Sequence, residues 1–99
     1  MPNNIKSIIT IPAHQDMLKI FEYIASDNKD AAEKLLNVFD KNFESLLAFP
    51  SRGFKSKFSS RDVRICIVAK HYQIIYTFSN EKLYILRILT GYQDINCIL

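Results

Sequence analysis

The apolar residues of this chain repeat with two different periods, and the places where the period changes limit the fold more than any other feature. Residues 5–11 alternate, with Ile5, Ser7, Ile9 and Ile11 on one face and Lys6, Ile8 and Thr10 on the other. A period of two with β-branched side chains predicts a strand. Pro12 ends it and suits the first turn of a helix, where its missing N–H costs nothing. The period then lengthens. Met17, Ile20, Phe21 and Ile24 fall at helical spacing and predict a helix over 13–26. Ser26-Asp27-Asn28 interrupts the pattern, and Asp30 with Glu33 three residues on resembles a capping box for a second helix. That helix should run to about Phe49, burying Ala32, Leu35, Leu36, Phe39, Phe43, Leu46 and Leu47. Pro50 and Gly53 end it, and beyond them the period returns to two.

Three strands are expected in this last part. Residues 62–69 set Val63, Ile65 and Ile67 opposite Arg64, Cys66 and Val68. Residues 72–78 set Tyr72, Ile74, Tyr76 and Phe78 opposite Gln73, Ile75 and Thr77. Residues 83–90 are apolar on both faces except at Arg87, as a central strand requires. The links Ala69-Lys70-His71 and Ser79-Asn80-Glu81-Lys82 are short enough for consecutive hairpins. The expected fold is α+β, in the order β-α-α-β-β-β, with a helical hairpin packed on an antiparallel sheet. With 99 residues there is room for one domain, spanning 1–99. A hydrophobic content of 48% with seven Phe and five Tyr excludes disorder.

Charge is distributed unevenly. Residues 13–49 hold seven acids and four bases, a net −3, whereas residues 52–70 hold six bases against Asp62, a net +5. The whole chain carries only +3. The basic segment (Arg52, Lys55, Lys57, Arg61, Arg64 and Lys70) reads either as an anion- or acidic-partner-binding surface or as a solvated loop. Arg87, alone in an apolar strand, must be paired or reach a concave face. A salt bridge to a helix acid such as Asp16 or Glu22 and a functional role are both open for it. With only Gly53 and Gly91, no Gly-rich phosphate loop can be built. His14 and His71 lack metal-pair spacing, and Cys66 and Cys97 form no CxxC unit, so neither metal nor cofactor is expected. The N-terminal Met1-Pro2-Asn3-Asn4 does not resemble a signal peptide, and no apolar run approaches the ~18 residues of a membrane helix. A cytoplasmic protein without a membrane partner is expected.

A set of segments in fixed order carries a family resemblance. They are Ile11-Pro12-Ala13, Asp16-Met17-Leu18-Lys19-Ile20, Tyr23-Ile24-Ala25, Ala31-Ala32 and Leu46-Leu47-Ala48-Phe49-Pro50 with Gly53. Further on come Arg61-Asp62-Val63-Arg64, Tyr72-Gln73-Ile74-Ile75-Tyr76, Ile85-Leu86-Arg87-Ile88-Leu89-Thr90-Gly91 and Gln93-Asp94-Ile95. With these the chain resembles the RelE/ParE superfamily, bacterial toxins of type II toxin–antitoxin systems, in its ParE-like branch of plasmid-stabilisation proteins. The resemblance implies a non-enzymatic inhibitor of DNA gyrase, neutralised by a cognate ParD-like antitoxin in a hetero-oligomer. It would make Arg61, Arg64, Arg87, Tyr92, Asp94, Ile98 and Leu99 the contact residues for target or partner. The alternative within the superfamily is a ribosome-dependent mRNA interferase acting on ribosome and mRNA through Arg64, Lys70, Arg87 and Tyr92. Two positions where such ribonucleases carry arginine hold Gln73 and Gln93 here, which favours the binding reading. A toxin that has kept only antitoxin binding is the third reading. The apolar run Ile95-Asn96-Cys97-Ile98-Leu99 is expected to pack on the domain or on a partner.

Overall fold

A computed structural model describes residues 7–55 and 62–90. Strand β1 (Ser7–Ile9) leads into helix α1 (Ile11–Ala25), and helix α2 (Lys29–Ala48) follows after a tight turn. A single 3₁₀ turn over Pro50–Arg52 connects to a two-residue strand β2 (Phe54–Lys55). Strands β3 (Arg64–Val68), β4 (Tyr72–Ser79) and β5 (Lys82–Thr90) complete one sheet in the order β1-β5-β4-β3-β2.

The α+β class, the helical hairpin and the two β-hairpins are as expected, but the central strand is β4; β5 is interior, flanked by β4 along its length and by the short β1 over Leu83–Ile85 only. The sheet is mixed rather than wholly antiparallel. β1 pairs parallel with β5, Ser7 opposite Leu83 and Ile9 opposite Ile85, because the helical hairpin returns the chain over one face of the sheet. β2 pairs antiparallel with β3, an edge strand too short for periodicity to reveal.

Both helix starts are capped by a side chain. Thr10 Oγ1 accepts from Ala13 N ahead of α1, where Pro12 occupies the first turn as expected. α2 is capped by Asn28, whose Oδ1 accepts from Ala31 N at 3.1 Å. The expected Asp30–Glu33 box is therefore not the cap: Asp30 already lies in the first turn, where its charge complements the helix dipole.

The main core lies between the helices and one face of the sheet. Phe39, Phe43 and Leu46 of α2 and Ala13 of α1 pack on Cys66, Val68, Ile74, Tyr76, Leu83, Ile85 and Ile88. Phe39 stacks on Phe43 and meets the Tyr72 ring edge-on at 5.5 Å, tying α2 to β4. Leu83, Ile85 and Ile88 can face the same core despite their changed parity because of a bulge. Ile75 pairs with Arg87 while Tyr76 pairs with Ile85, so β5 carries one extra residue there. A smaller cluster, Val63, Ile65, Ile75 and Leu89 with Leu86, occupies the opposite face.

Candidate functional site

The β5 bulge and the start of α1 form one arrangement. β1 covers β5 only as far as Ile85, so the backbone beyond it needs other partners. Thr10 supplies the first: its N–H donates to the Ile85 carbonyl, and its hydroxyl lies 2.9 and 3.1 Å from the Ile85 and Leu86 carbonyl oxygens. Asp16, on the next turn of α1, accepts from Ile88 N at 3.0 Å. The same carboxylate takes Arg87 in a two-pronged pair, Nε to Oδ2 at 2.7 Å and Nη2 to Oδ1 at 3.0 Å. Of the two readings open for Arg87, the structure realises the ion pair with Asp16. The Arg87 side chain stays 32% exposed against 14% for Asp16, so it remains reachable from solvent. The Asp16 hydrogen bond holds the guanidinium firmly in its charged form.

A second arrangement lies at the end of α2, around Tyr76. This side chain is fully buried, and its hydroxyl donates to the Pro50 carbonyl at 2.6 Å and accepts from Gly53 N at 2.9 Å. Arg64 Nη1 donates to the Gly53 carbonyl at 2.8 Å, and Arg52 donates to Asn42 Oδ1 and Ser45 Oγ on α2. Two members of the basic segment thus hold the chain reversal between α2 and the sheet. Gly53 is required here for space: a Cβ on it would stand 2.5 Å from Tyr76 Oη and 2.7 Å from the Ile65 carbonyl oxygen. Burial pushes the Tyr76 hydroxyl above its usual range, partly offset by the Gly53 N–H bond. Burial likewise raises the Cys66 thiol, partly offset by Arg52.

Of the residues named from sequence, the described ones (Arg64, Lys70 and Arg87) do not converge. Arg64 opens β3 opposite Tyr76, whereas Lys70 lies beyond the far end of that strand, in the turn to β4. The length of β3 alone puts roughly 13 Å between them. Arg87 lies opposite Ile75 and turns to Asp16. Arg61, Tyr92, Asp94, Ile98 and Leu99 lie outside the described residues. Among the described residues, no three of His, Cys, Asp and Glu stand close enough to hold a metal ion. No described helix is long and apolar enough to cross a membrane.

A groove between α1 and the ends of β4 and β5 escapes sequence reasoning. It has a volume of about 390 Å³ and is lined by Lys19, Ile20, Tyr23, Ile24, Tyr72 and Thr90. Its walls combine the rim of the α1 stripe with Tyr72 and Thr90, some fifty and seventy positions away, which no local pattern joins. The available signal is Tyr23, an aromatic beside the stripe that is 82% exposed.

Fold and site together define a two-layer α+β domain with an apolar groove beside its helices and arginines held at the chain reversals. The chain belongs to the family of ParE toxins of type II toxin–antitoxin systems, parDE, whose model matches residues 8–95. Among solved structures it shares its fold with a chain of the chromosomal ParDE TA system from P. aeruginosa, at a TM-score of 0.72 and 17% identity. That likeness covers 89% of this chain and 97% of the other. No curated protein matches the sequence significantly.

Proposed function

We propose that this toxin-family protein acts in the cytoplasm by binding and inhibiting DNA gyrase, without cleaving RNA, and is neutralised by a ParD-like antitoxin. The observation that supports the binding reading is the separation, among the described residues, of Arg64, Lys70 and Arg87. RNA cleavage without a metal needs cationic and proton-transferring groups around one phosphate. Arg64 is engaged with Gly53, Arg87 with Asp16, and Lys70 stands at the opposite end of β3. A protein that only binds its target has no such requirement.

The antitoxin fits the α1 groove better than the edge of β5. Thr10 and Asp16 already occupy backbone groups that an added strand would use, whereas the groove offers Ile20, Ile24 and Tyr72 to apolar side chains of a helix. The deciding experiment is induction of the toxin in bacteria with time-resolved readouts. An SOS response with gyrase-dependent DNA damage should come first while mRNA stays intact. Early translation-dependent mRNA cleavage would sink the gyrase reading and restore the interferase. Growth unaffected despite antitoxin binding would point to a toxin that keeps only its partner.

A further inference from the structure

Helix α1 separates two grooves of opposite character. The one beside Tyr23 has Lys19 as its charged lining residue. The other lies on the opposite flank of α1, in the solvent-facing seam with α2, and has a volume of about 340 Å³. It is lined by His14, Met17, Leu18 and Phe21 of α1 and by Leu36 and Asp40 of α2. Leu18 stays 48% exposed, and Ile11, two turns earlier on the same side of α1, 74%.

The charges around this seam are arranged at a local cost. Asp40 and Glu44 stand four residues apart on α2, a repulsive spacing. Glu44 also lies toward the negative end of the helix, whose last turn holds no base. Asp16 and Asp62 have cationic partners, whereas neither Asp40 nor Glu44 takes part in an ion pair among the described residues. Glu44 in turn lines the next hollow along α2, together with Glu81 of the β4–β5 turn. Unpaired acids beside an exposed apolar seam define the chemistry that complements it.

We propose that the seam between α1 and α2 docks an amphipathic helix of a protein partner, apolar on one face and flanked by lysine or arginine. A helix fits because both walls are helices. Their backbone groups are bonded internally, so the seam offers side chains and no strand edge. The α1 wall from His14 to Phe21 is roughly 10 Å long, two turns of such a helix. A second copy of this chain is disfavoured, because residues 13–49 carry a net −3 and an isologous contact would set like charges against each other. Docking here is independent of the gyrase and antitoxin readings, whose groove lies on the other flank of α1 and carries a base.

Two synthetic peptides of about five helical turns test this, with the same leucine face and either lysine or glutamate at every polar position. Titrated into the full chain, the lysine peptide should bind about tenfold tighter than the glutamate peptide and shift the amide resonances of Leu18, Phe21 and Leu36. Asp40→Lys should weaken the lysine peptide about tenfold. Asp62→Lys makes the same change in net charge beside the edge strand β2, and should leave binding within about twofold. Asp40→Lys combined with Glu44→Lys should reverse the preference between the peptides, and Leu18→Ser should weaken both. All four positions are exposed, so the fold tolerates the changes. Equal affinities, equal losses in Asp40→Lys and Asp62→Lys, shifts confined to the groove beside Tyr23, or no binding at all would overturn the proposal. Dimerisation abolished by Leu18→Ser would assign the seam to a second copy and overturn it too.

Discussion

At the scale of single residues, two hydrogen-bonded nodes fix the chain where it changes direction. The Tyr76 hydroxyl serves Pro50 and Gly53 at once, in a site with no room for a Cβ. Tyr76→Phe removes both bonds and strands a buried N–H, for a loss of about 1–3 kcal/mol. Gly53→Ala should cost a similar amount, about 1–3 kcal/mol, by forcing Tyr76 and the β3 backbone apart. Urea unfolding of the two variants and of their combination checks this. The double variant should lose less than the sum, because removing the hydroxyl clears part of the clash. Strict additivity would mean that the two residues do not share one site. The Asp16 node differs in kind, since one carboxylate holds both a guanidinium and the Ile88 N–H. Asp16→Ala should destabilise by about 2 kcal/mol, moderated by the partial exposure of Arg87, and Asp16→Asn should lose less because it keeps an acceptor for Ile88. Thermal melts of the pair would refute this ordering if Asn proved as costly as Ala.

At the scale of elements, the strands are joined by turns whose residues, Asn80 excepted, are poorly suited to them. Ala69, Lys70, Asn80 and Glu81 all have positive φ, and none is glycine. The β4–β5 link has two successive left-handed residues between Ser79 and Lys82, the pattern of a type I′ turn, for which Asn-Gly is the preferred pair. Asn80 already fits. Glu81→Gly should therefore stabilise by about 0.5 kcal/mol, the relief of left-handed strain exceeding the added freedom of the unfolded chain. An unchanged or lower urea midpoint would show that Glu81 contributes something the backbone does not reveal. These turns also show what a sequence can and cannot display. Hairpins at 69–71 and 79–82 were legible because strand periodicity stops on both sides. The two helices were legible from their stripes, but the cap of α2 was not, because Asp30–Glu33 and Asn28 offer equally good local chemistry. The β5 bulge and two-residue β2 escaped because neither leaves a periodic trace. Arg87 was legible as an anomaly with Asp16 among its partners. The Tyr76–Gly53 contact joins positions 23 apart and becomes visible only once α2 meets the sheet.

At the scale of the molecule, the polarity between an acidic hairpin and a basic segment is only partly a free surface. Arg52 is drawn onto the C-terminal part of α2, where it lies favourably toward the negative end of the helix, and Arg64 is turned to the Gly53 carbonyl. These cations surround a core that holds two acidic hydrogens, on Cys66 and Tyr76, both raised above their ordinary values of 9.0 and 10.0 mainly by burial. For such groups the folded state retains its proton over a range where the unfolded chain releases it. Their contribution to stability is complete below the unfolded values and is lost as pH rises from about 9 upward, Cys66 first and Tyr76 after it. Stability measured by urea unfolding should therefore fall with increasing pH above that point. Cys66→Ala should remove the earlier part of the fall and Tyr76→Phe the later part, although each variant starts from lower stability. A decline of equal slope in the variant combining Cys66→Ala with Tyr76→Phe would assign the alkaline weakness to the surface lysines instead, and added salt would then moderate it, because exposed charges are screened and buried protons are not.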